Sequence, residues 1–462
     1  MIPTPTGSEG WHLKRLLGRL ASRRPRYDRA DSYLDGTAAV PTMTDRAVRE
    51  AYRRLMAMSG TNYGELAVEA VRERMHPIGF RTGASADGAP DDLAWRAWEA
   101  NDLAAESATV HRYSLGLGDG YTIVGPADPD LGEFPVVTAE DPRYVITEHD
   151  PRRRRRVTMA ATLKADTEAG TERAWLYVWG GLVMEAARPF KADAAVWSDD
   201  WEWVAAYRLP FPDVPVVRFP NLQIAGPRRD GLGDSWGEIE RHTGVLDRIN
   251  YQILTRLEIA TMQAFKQRAI KGVPLKDSTG KEIDYAEIFP PDPGAMWHLP
   301  AAAEIWESGQ VDMSGIRLAV RDDVTDFAAV TRTPLYYLSP DASNGSAEGA
   351  SLAREGLVFK TGDRVTTATP GWKQTQRLIW LYMGDEVRAD AAALDVLWES
   401  PDRHTLASRF DAAVKAKDAG VPWHERMELI GMKPDQISRM RSRFPENAAN
   451  PDDVDPGAVD PA

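Results

Sequence analysis

Residues 226–268 constrain this chain more than any other stretch. A polar, glycine-rich loop from Gly226 to Gly233 opens into a helical pattern that runs unbroken from Ser235 to about Arg268. At ~1.5 Å per residue such a helix would be roughly 50 Å long. Ser235 followed three residues later by Glu238 is the capping-box pattern, in which hydroxyl and carboxylate reciprocally satisfy the orphan amide donors of a helix start. Ile239, Leu246, Ile253 and Ala260 then fall seven apart, with Ile249 and Leu257 widening the stripe, while Arg248, Gln252, Arg256, Glu258 and Gln263 occupy other faces. A helix apolar on one side only must pack against neighbours along its whole length.

The flanking sequence divides into regions of different periodicity. Trp11 to Arg29 carries seven Lys or Arg against one Asp, with Leu13, Leu16, Leu17 and Leu20 at helical spacing. A presequence or membrane-surface helix shares that pattern, and a docked, solvated helix is the preferred reading. Thr44 and Asp45 offer caps to a helix with Val48, Tyr52, Leu55 and Met56 as its stripe, followed by Leu66, Val68 and Val71, and a third helix is expected from Asp91 to about Leu115. From Gly120 to Asn221 short runs rich in Val, Ile, Tyr and Trp alternate with Gly, Pro and Asp, predicting strands over 122–124, 135–139, 144–147, 157–163, 174–178, 201–206 and 214–219. Inside this β-rich region, Arg152 to Arg156 are five consecutive arginines. They read as a nucleic-acid patch or, preferably, as a solvated hairpin end or subunit contact.

Prolines 274, 290, 291, 293 and 300 break the span from Lys271 to Asp312, after which a second helix is expected from about Met313 to Val330. A loop of small and polar residues, Ser339 to Gly349, leads into another helix from Ala347 to about Val365. Helical stripes then alternate with breaks at Pro401, Gly420 to Pro422 and Pro434, and the residues after Phe444, rich in Asp, Asn, Pro and Ala, read as a disordered tail. The fold class is therefore α+β and mainly helical.

Composition narrows the function. Cysteine is absent, which removes disulfides, thiolate zinc sites and thiol nucleophiles and fits assembly in a reducing cytoplasm. No stretch approaches the roughly 20 apolar residues that cross a bilayer, and no secretory leader follows Met1, so a soluble, unexported protein with no membrane partner is expected. The formal net charge of -13 opposes tight binding of a DNA duplex.

Catalytic readings fare poorly. Gly233, Asp234, Ser235, Trp236 and Gly237 match the nucleophile elbow of serine hydrolases, but that elbow needs a buried strand before it, whereas the preceding loop is polar and glycine-rich. Gly280 and Lys281 are followed by Glu282, so the phosphate loop of an ATPase motor is missing there. His424 and Glu425 would need a second histidine where Glu428 stands. The acidic groups Asp199, Asp200 and Glu202, and Asp322, Asp323 and Asp326, lack histidine or lysine companions for nuclease-like metal chemistry. No catalytic, cofactor or metal site is expected.

The order of these regions resembles the portal proteins of long-tailed bacteriophages, in a branch common among phages of actinobacteria, from about Tyr27 to Arg443. Tyr33, Leu34, Asp35 and Gly36 look like the family's aromatic-to-glycine opening, and Asn62 to Val71, Arg74, Gly79 and Phe80 resemble its next helix and exit. The most specific stretch is Pro215 to Asn221, then the glycine-rich loop, then Gly233, Asp234 and Ser235, which is similar to the wing-to-stem junction.

The resemblance implies a portal fold: an N-terminal helical part of the wing (1–119), a β-rich wing (120–225), a first stem helix (226–270), a clip (271–312), a second stem helix (313–337), a tunnel loop (338–350), a long helix of wing and crown (351–385), a helical crown (386–444) and a tail (445–462). It implies that Ser339, Asp341, Ser343, Asn344, Ser346 and Glu348 face the DNA channel, and that Ile239, Leu246, Ile253, Ala260, Arg256 and Lys266 make stem contacts between subunits. By the same resemblance, about twelve copies form a ring at one vertex of the virion capsid. Double-stranded DNA passes through it during packaging and ejection, and the partners are the large terminase subunit, the major capsid and scaffolding proteins, and head-completion or adaptor proteins. A closed ring needs two different patches per subunit, which one-sided long helices supply. An acidic channel wall lets a duplex slide because it forms few phosphate contacts. The alternatives are another virion connector or adaptor and, from a different class, a serine hydrolase or metal-dependent nuclease.

Overall fold

A computed structural model describes residues 1–38, 49–85, 89–130, 132–192, 194–224, 233–264, 268–272, 280–283, 304–307, 311–339, 347–402 and 406–433, with isolated positions between and after them. It is a mixed helix and sheet chain, as the α+β class requires, and it forms two units. The first comprises Met1–Asp35, Asn62–Thr243 and Ala328–Ala462, and the second Gly36–Thr61 and Gly244–Phe327.

The first unit opens with α1 (Glu9–Leu34), whose N-cap Ser8 accepts a hydrogen bond from the Trp11 amide. Its apolar stripe packs first: Leu13, Leu16, Leu17 and Leu20 are wholly buried against Ile146, Ala161, Leu163, Ala174, Leu176, Ala186 and Trp201. Four leucines removed from water at ~25 cal/mol per Å2 dock the helix on the sheet, while of its basic residues only Lys14 and Arg29 are exposed and Arg23 and Arg26 are buried.

That sheet is an antiparallel meander of β4 (Val145–His149), β5 (Val157–Asp166), β6 (Thr171–Val178), β7 (Leu182–Pro189) and β8 (Glu202–Arg208), paired in that order. A second sheet has β2 (Asp119–Ala127) between β3 (Pro135–Glu140) and β9 (Val216–Pro220), with Asp119 opposite Pro220 and Tyr121 opposite Arg218. β1 (Pro77–Arg81) pairs with β12 (Asp395–Trp398) across most of the chain length.

The remaining helices of this unit are α3 (Tyr63–Arg72), α4 (Asp92–Ala100), α5 (Leu103–Leu117), α8 (Leu335–Leu338), α9 (Ala347–Met383), α10 (Leu406–Asp418) and α11 (Trp423–Ile430). The single helix expected from Asp91 to Leu115 is thus two. Asp91 caps α4 through the Leu93 and Ala94 amides, and the chain breaks at Asp102, held at a φ of 48°. α9 continues past Val365 and through Pro370 to reach 37 residues, about 56 Å. Its second half is retained because Trp372, Leu378, Ile379 and Trp380 are wholly buried. Trp372 meets Trp98 edge-on at 4.9 Å and Phe219 at 4.7 Å, and its indole donates to His111 Nε2 at 2.9 Å. Gly371 permits this approach: a Cβ there would lie 2.3 Å from the Phe219 ring.

The second unit holds α2 (Arg49–Ser59), nearly all of α6 (Thr243–Ala264), β10 (Arg268–Lys271), β11 (Glu304–Glu307) and most of α7 (Ser314–Thr331). α6 and α7 run antiparallel: Arg248 ion-pairs Asp323 at 2.8 Å, Gln252 donates to the same carboxylate at 2.7 Å, and Gln263, near the far end of α6, donates to the Val311 carbonyl. β10 and β11 pair antiparallel in the connection between them, Arg268 opposite Glu307. Among the described residues, the buried apolar side chains of this unit are Ala38, Leu246, Ile249, Leu254, Val324 and Phe327.

The first long helix is shorter than the sequence pattern implies. It begins at Thr243, not Ser235, and spans 22 residues, about 33 Å. Ser235 and Glu238 do not form a capping box, because both side chains are taken by distant partners.

Candidate functional site

The segment between the glycine-rich loop and α6 is the most heavily engaged part of the chain. Ser235 is wholly buried, its hydroxyl donating to Asp119 Oδ1 at 2.9 Å and accepting from Arg218 Nη2 at 3.2 Å. Asp119, at the start of β2, also accepts from Arg218 Nε at 2.7 Å and from the Tyr27 hydroxyl of α1 at 2.8 Å. Arg218 reaches on to Asp234 at 2.6 Å. Burial alone would raise the Asp119 carboxyl, but the guanidinium groups of Arg218, Arg26 and Arg23 outweigh it and hold that carboxyl well below the usual carboxylate range.

Arg26 extends the network. Its Nε and Nη2 grip both oxygens of Glu240 at 2.8 and 2.9 Å, and Nη2 also donates to the Leu117 and Ser235 carbonyls. Arg228, from the glycine-rich loop, donates to Glu240 at 2.7 Å and to the Ser235 carbonyl at 3.0 Å, and its guanidinium stacks 3.4 Å from the Trp236 ring centre. Gly237 passes so close to Gly116 that a Cβ would sit 2.2 Å from the Gly116 carbonyl oxygen.

Glu238 faces the other way, toward α9. It is 5% exposed, and its carboxylate meets Lys360 at 2.9 Å, the Arg364 guanidinium, and the Asn221 amide at 3.0 Å. Lys360 also donates to the Thr331 carbonyl at 2.8 Å. Burial would raise the Glu238 carboxyl, yet Lys360 and Arg364 take it down to about 2. Residues 234–240 therefore cross-link α1, β2, β9 and α9 through buried charge.

This geometry places the expected residues unevenly. Ser235 and Glu238 are brought into one junction, as lattice points of buried charge and not as a helix cap. Ile239 and Leu246, expected on a subunit interface, are 0% and 1% exposed within the chain itself, Ile239 lying against Gly64. A side chain with no accessible surface in its own subunit cannot also cover a neighbour, so both are core residues. Ile253 and Arg256 are half-buried and Ala260 is exposed on α6; Lys266 lies outside the described residues. In the channel-facing set, Ser339 follows α8 and Glu348 lies in the first turn of α9. Asp341, Ser343, Asn344 and Ser346 lie outside the described residues.

No local pattern marks the partners of Arg26, Arg218 or Arg228. Their signal was only that an Arg-Phe-Pro-Asn strand end precedes an acidic and serine-containing segment.

The residues behind the catalytic alternatives have other partners. Ser235 is bonded to a carboxylate and a guanidinium, with no imidazole in its hydrogen bonds to take its proton. Of the acidic groups, Asp200 is paired with Lys191 at 2.8 Å and Asp323 with Arg248. Glu428 is held by Arg81 at 3.0 Å. Among the described residues no group of three His, Cys, Asp or Glu is arranged to hold a metal ion, and no helix is long and apolar enough to cross a membrane.

The arginine run forms the turn between β4 and β5. Arg156 folds back onto Trp179, 3.6 Å from its ring centre, while Arg152 to Arg155 are exposed.

No family model matches the chain. It is 27% identical over 442 residues to the portal protein of Mycobacterium phage L5, covering 90% of this chain and 85% of that protein. To the portal protein of Mycobacterium phage D29 it is 26% identical over 416 residues, covering 85% and 80%. Among solved structures, it aligns over 87% of its length with a chain from the neck of an empty gene transfer agent particle, at 12% identity and a TM-score of 0.44. The likeness to actinobacteriophage portal proteins read from the motifs is borne out by the two mycobacteriophage relatives.

Proposed function

We propose that this chain, similar over nine-tenths of its length to phage portal proteins, is the subunit of a portal ring: a channel at one capsid vertex through which double-stranded DNA is packaged and later released. The observation that carries this reading is the extent of that likeness, which spans both structural units. A portal acts by assembling and by guiding DNA, so its key residues are those that hold the subunit rigid and those that meet a neighbour.

In this reading α6 and α7 are the stem and the β10–β11 ribbon is the base of the clip, where terminase docks during packaging and head-completion proteins dock afterwards. Two features favour it. The second unit exposes Tyr251, Ile305, Trp306, Val311 and Leu318, each at 43% or more, an apolar load that a subunit in a ring would cover. In the first unit, Leu406, Phe410 and Val414 lie four apart on α10 and are likewise exposed, a second and different patch, which a heterologous contact requires. The channel-facing set of Ser339, Asp341, Ser343, Asn344, Ser346 and Glu348, and the stem contacts at Ile253, Arg256, Ala260 and Lys266, belong to the same proposal.

Gold-labelled antibody against the chain, applied to particles opened at the tail, tests the placement. Label at a single vertex per particle is expected. Label spread over the shell, or confined to the tail tube, would refute it.

A further inference from the structure

Beside the buried junction lies a cavity of about 460 Å3 whose lining includes Arg19, Arg23, Thr147, His149, Arg154 and Arg218. Three carboxylates also face it, and each is already engaged. Glu148 is gripped by both terminal nitrogens of Arg15, Asp150 accepts from the amides of Arg152 and Arg153, and Asp234 accepts from Arg218 and Gln223.

Of the cations, Arg218 is paired with Asp119 and Asp234 and Arg19 reaches Glu148 only at 3.9 Å, whereas the Arg23 and Arg154 side chains have no direct partner among the described residues. Arg23 is 8% exposed, and among the described residues its guanidinium has neither a hydrogen bond nor an ion pair. It lies against the bare backbone of Gly233, 3.6 Å from where a Cβ would stand. Arg154 is exposed at the rim and likewise unpaired among the described residues. Arg19 is four residues from Arg23 on the same face of α1, a like-charge spacing that destabilises a helix unless an anion lies between the two. Its nearest carboxylate oxygen, on Glu148, is 3.9 Å away. Burial first, and the Arg23 charge second, disfavour the charged form of Arg19.

We propose that this cavity is an anion site that takes a phosphate group, held between Arg19, Arg23 and Arg154. Guanidinium forks suit a tetrahedral oxyanion because each presents two parallel N–H donors. Arg23 lends its charge to the buried Asp119 but, like Arg154, makes no direct ion pair, and a dianion meets both guanidinium groups where a single carboxylate meets one. The volume exceeds that of free phosphate and falls in the range of small-molecule pockets, so the same chemistry admits inorganic phosphate or a mononucleotide. The proposal stands apart from the portal reading, since its three arginines come from α1 and the β4–β5 turn and no contact between subunits enters it.

Isothermal titration of the full chain with sodium phosphate, against sodium chloride at equal ionic strength, tests it. One saturable phosphate site per chain is expected, weakened at least tenfold by Arg23→Gln. Arg154→Gln, at an exposed position whose loss leaves the fold intact, is expected to weaken binding several-fold, and Arg152→Gln, in the same turn but outside the cavity, to leave it unchanged. Adenosine monophosphate binding more tightly than phosphate, with the same dependence on Arg23 and Arg154, would identify a nucleotide occupant, and equal binding would identify free phosphate. Absence of saturable phosphate binding to the unmodified chain, or binding indifferent to both Arg23→Gln and Arg154→Gln, would overturn the proposal.

Discussion

Replacing Glu238 with glutamine removes the carboxylate shared by Lys360 and Arg364 while keeping the volume and the amide contact to Asn221. The size of the effect follows from the geometry. Glu238 is buried and its carboxyl is held at about 2, against an ordinary value of 4.5. At 1.36 kcal/mol per pK unit that difference corresponds to about 3 kcal/mol of folded-state stability. The same magnitude follows from the cost of stranding a buried charge, about 3–5 kcal/mol, because Lys360 loses its anion where water does not replace it. Since the folded value is depressed, the stabilisation is fully present above pH 4.5 and is lost as pH falls toward 2. Urea unfolding followed by tryptophan fluorescence, which reports the first unit through Trp372 and Trp380, should therefore show Glu238→Gln destabilised by about 3 kcal/mol at pH 7 and nearly equal to the parent near pH 2. Adding Lys360→Met should recover a large part of the loss, because the uncompensated ammonium is gone. A Glu238→Gln protein within 0.5 kcal/mol of the parent at pH 7 would refute the buried-pair reasoning.

Three further outcomes follow from the same structure. Ser235→Ala should cost about 1–3 kcal/mol in denaturant unfolding, because Asp119 loses a buried donor. This exceeds the ~1 kcal/mol of a surface helix cap, and no hydrolytic activity should be found in either protein. Gly371→Ala should lower stability by about 1–3 kcal/mol in thermal or urea unfolding, since its methyl group meets the buried Phe219 ring at 2.3 Å. Charge reversal at Arg256 together with Lys266 should impair assembly measured by sedimentation velocity while leaving the circular dichroism of the subunit unchanged. Unchanged assembly would remove both from the stem interface.

What the sequence displayed of this fold was its local periodicity, and what it hid was long-range pairing. The leucine face of α1, the β-rich region and the antiparallel helix pair on either side of a proline-broken span were readable because each repeats within a few residues. β1 and β12 were not: their pairing joins Arg81 to Asp395, and nothing local marks either strand. β7 was missed because Leu182 to Pro189 is rich in Met, Glu and Ala, residues that favour helices, and is made a strand by the ladders on both sides. The start of α6 was misplaced for a related reason. Ser235 and Glu238 have the spacing of a capping box, but Asp119, Arg218, Lys360 and Arg364 offer charged partners stronger than the local amides. Asp119 and Arg218 also occupy the Ser235 hydroxyl at the centre of the elbow-like motif.

The central claim, that this chain builds a portal ring, is tested most directly by mass photometry of the purified protein with negative-stain images of the same sample. Particles near twelve times the 51.2 kDa chain mass, seen as rings with a central hole, are the predicted result. A protein that stays monomeric or dimeric at micromolar concentration, with no rings in the images, would contradict it.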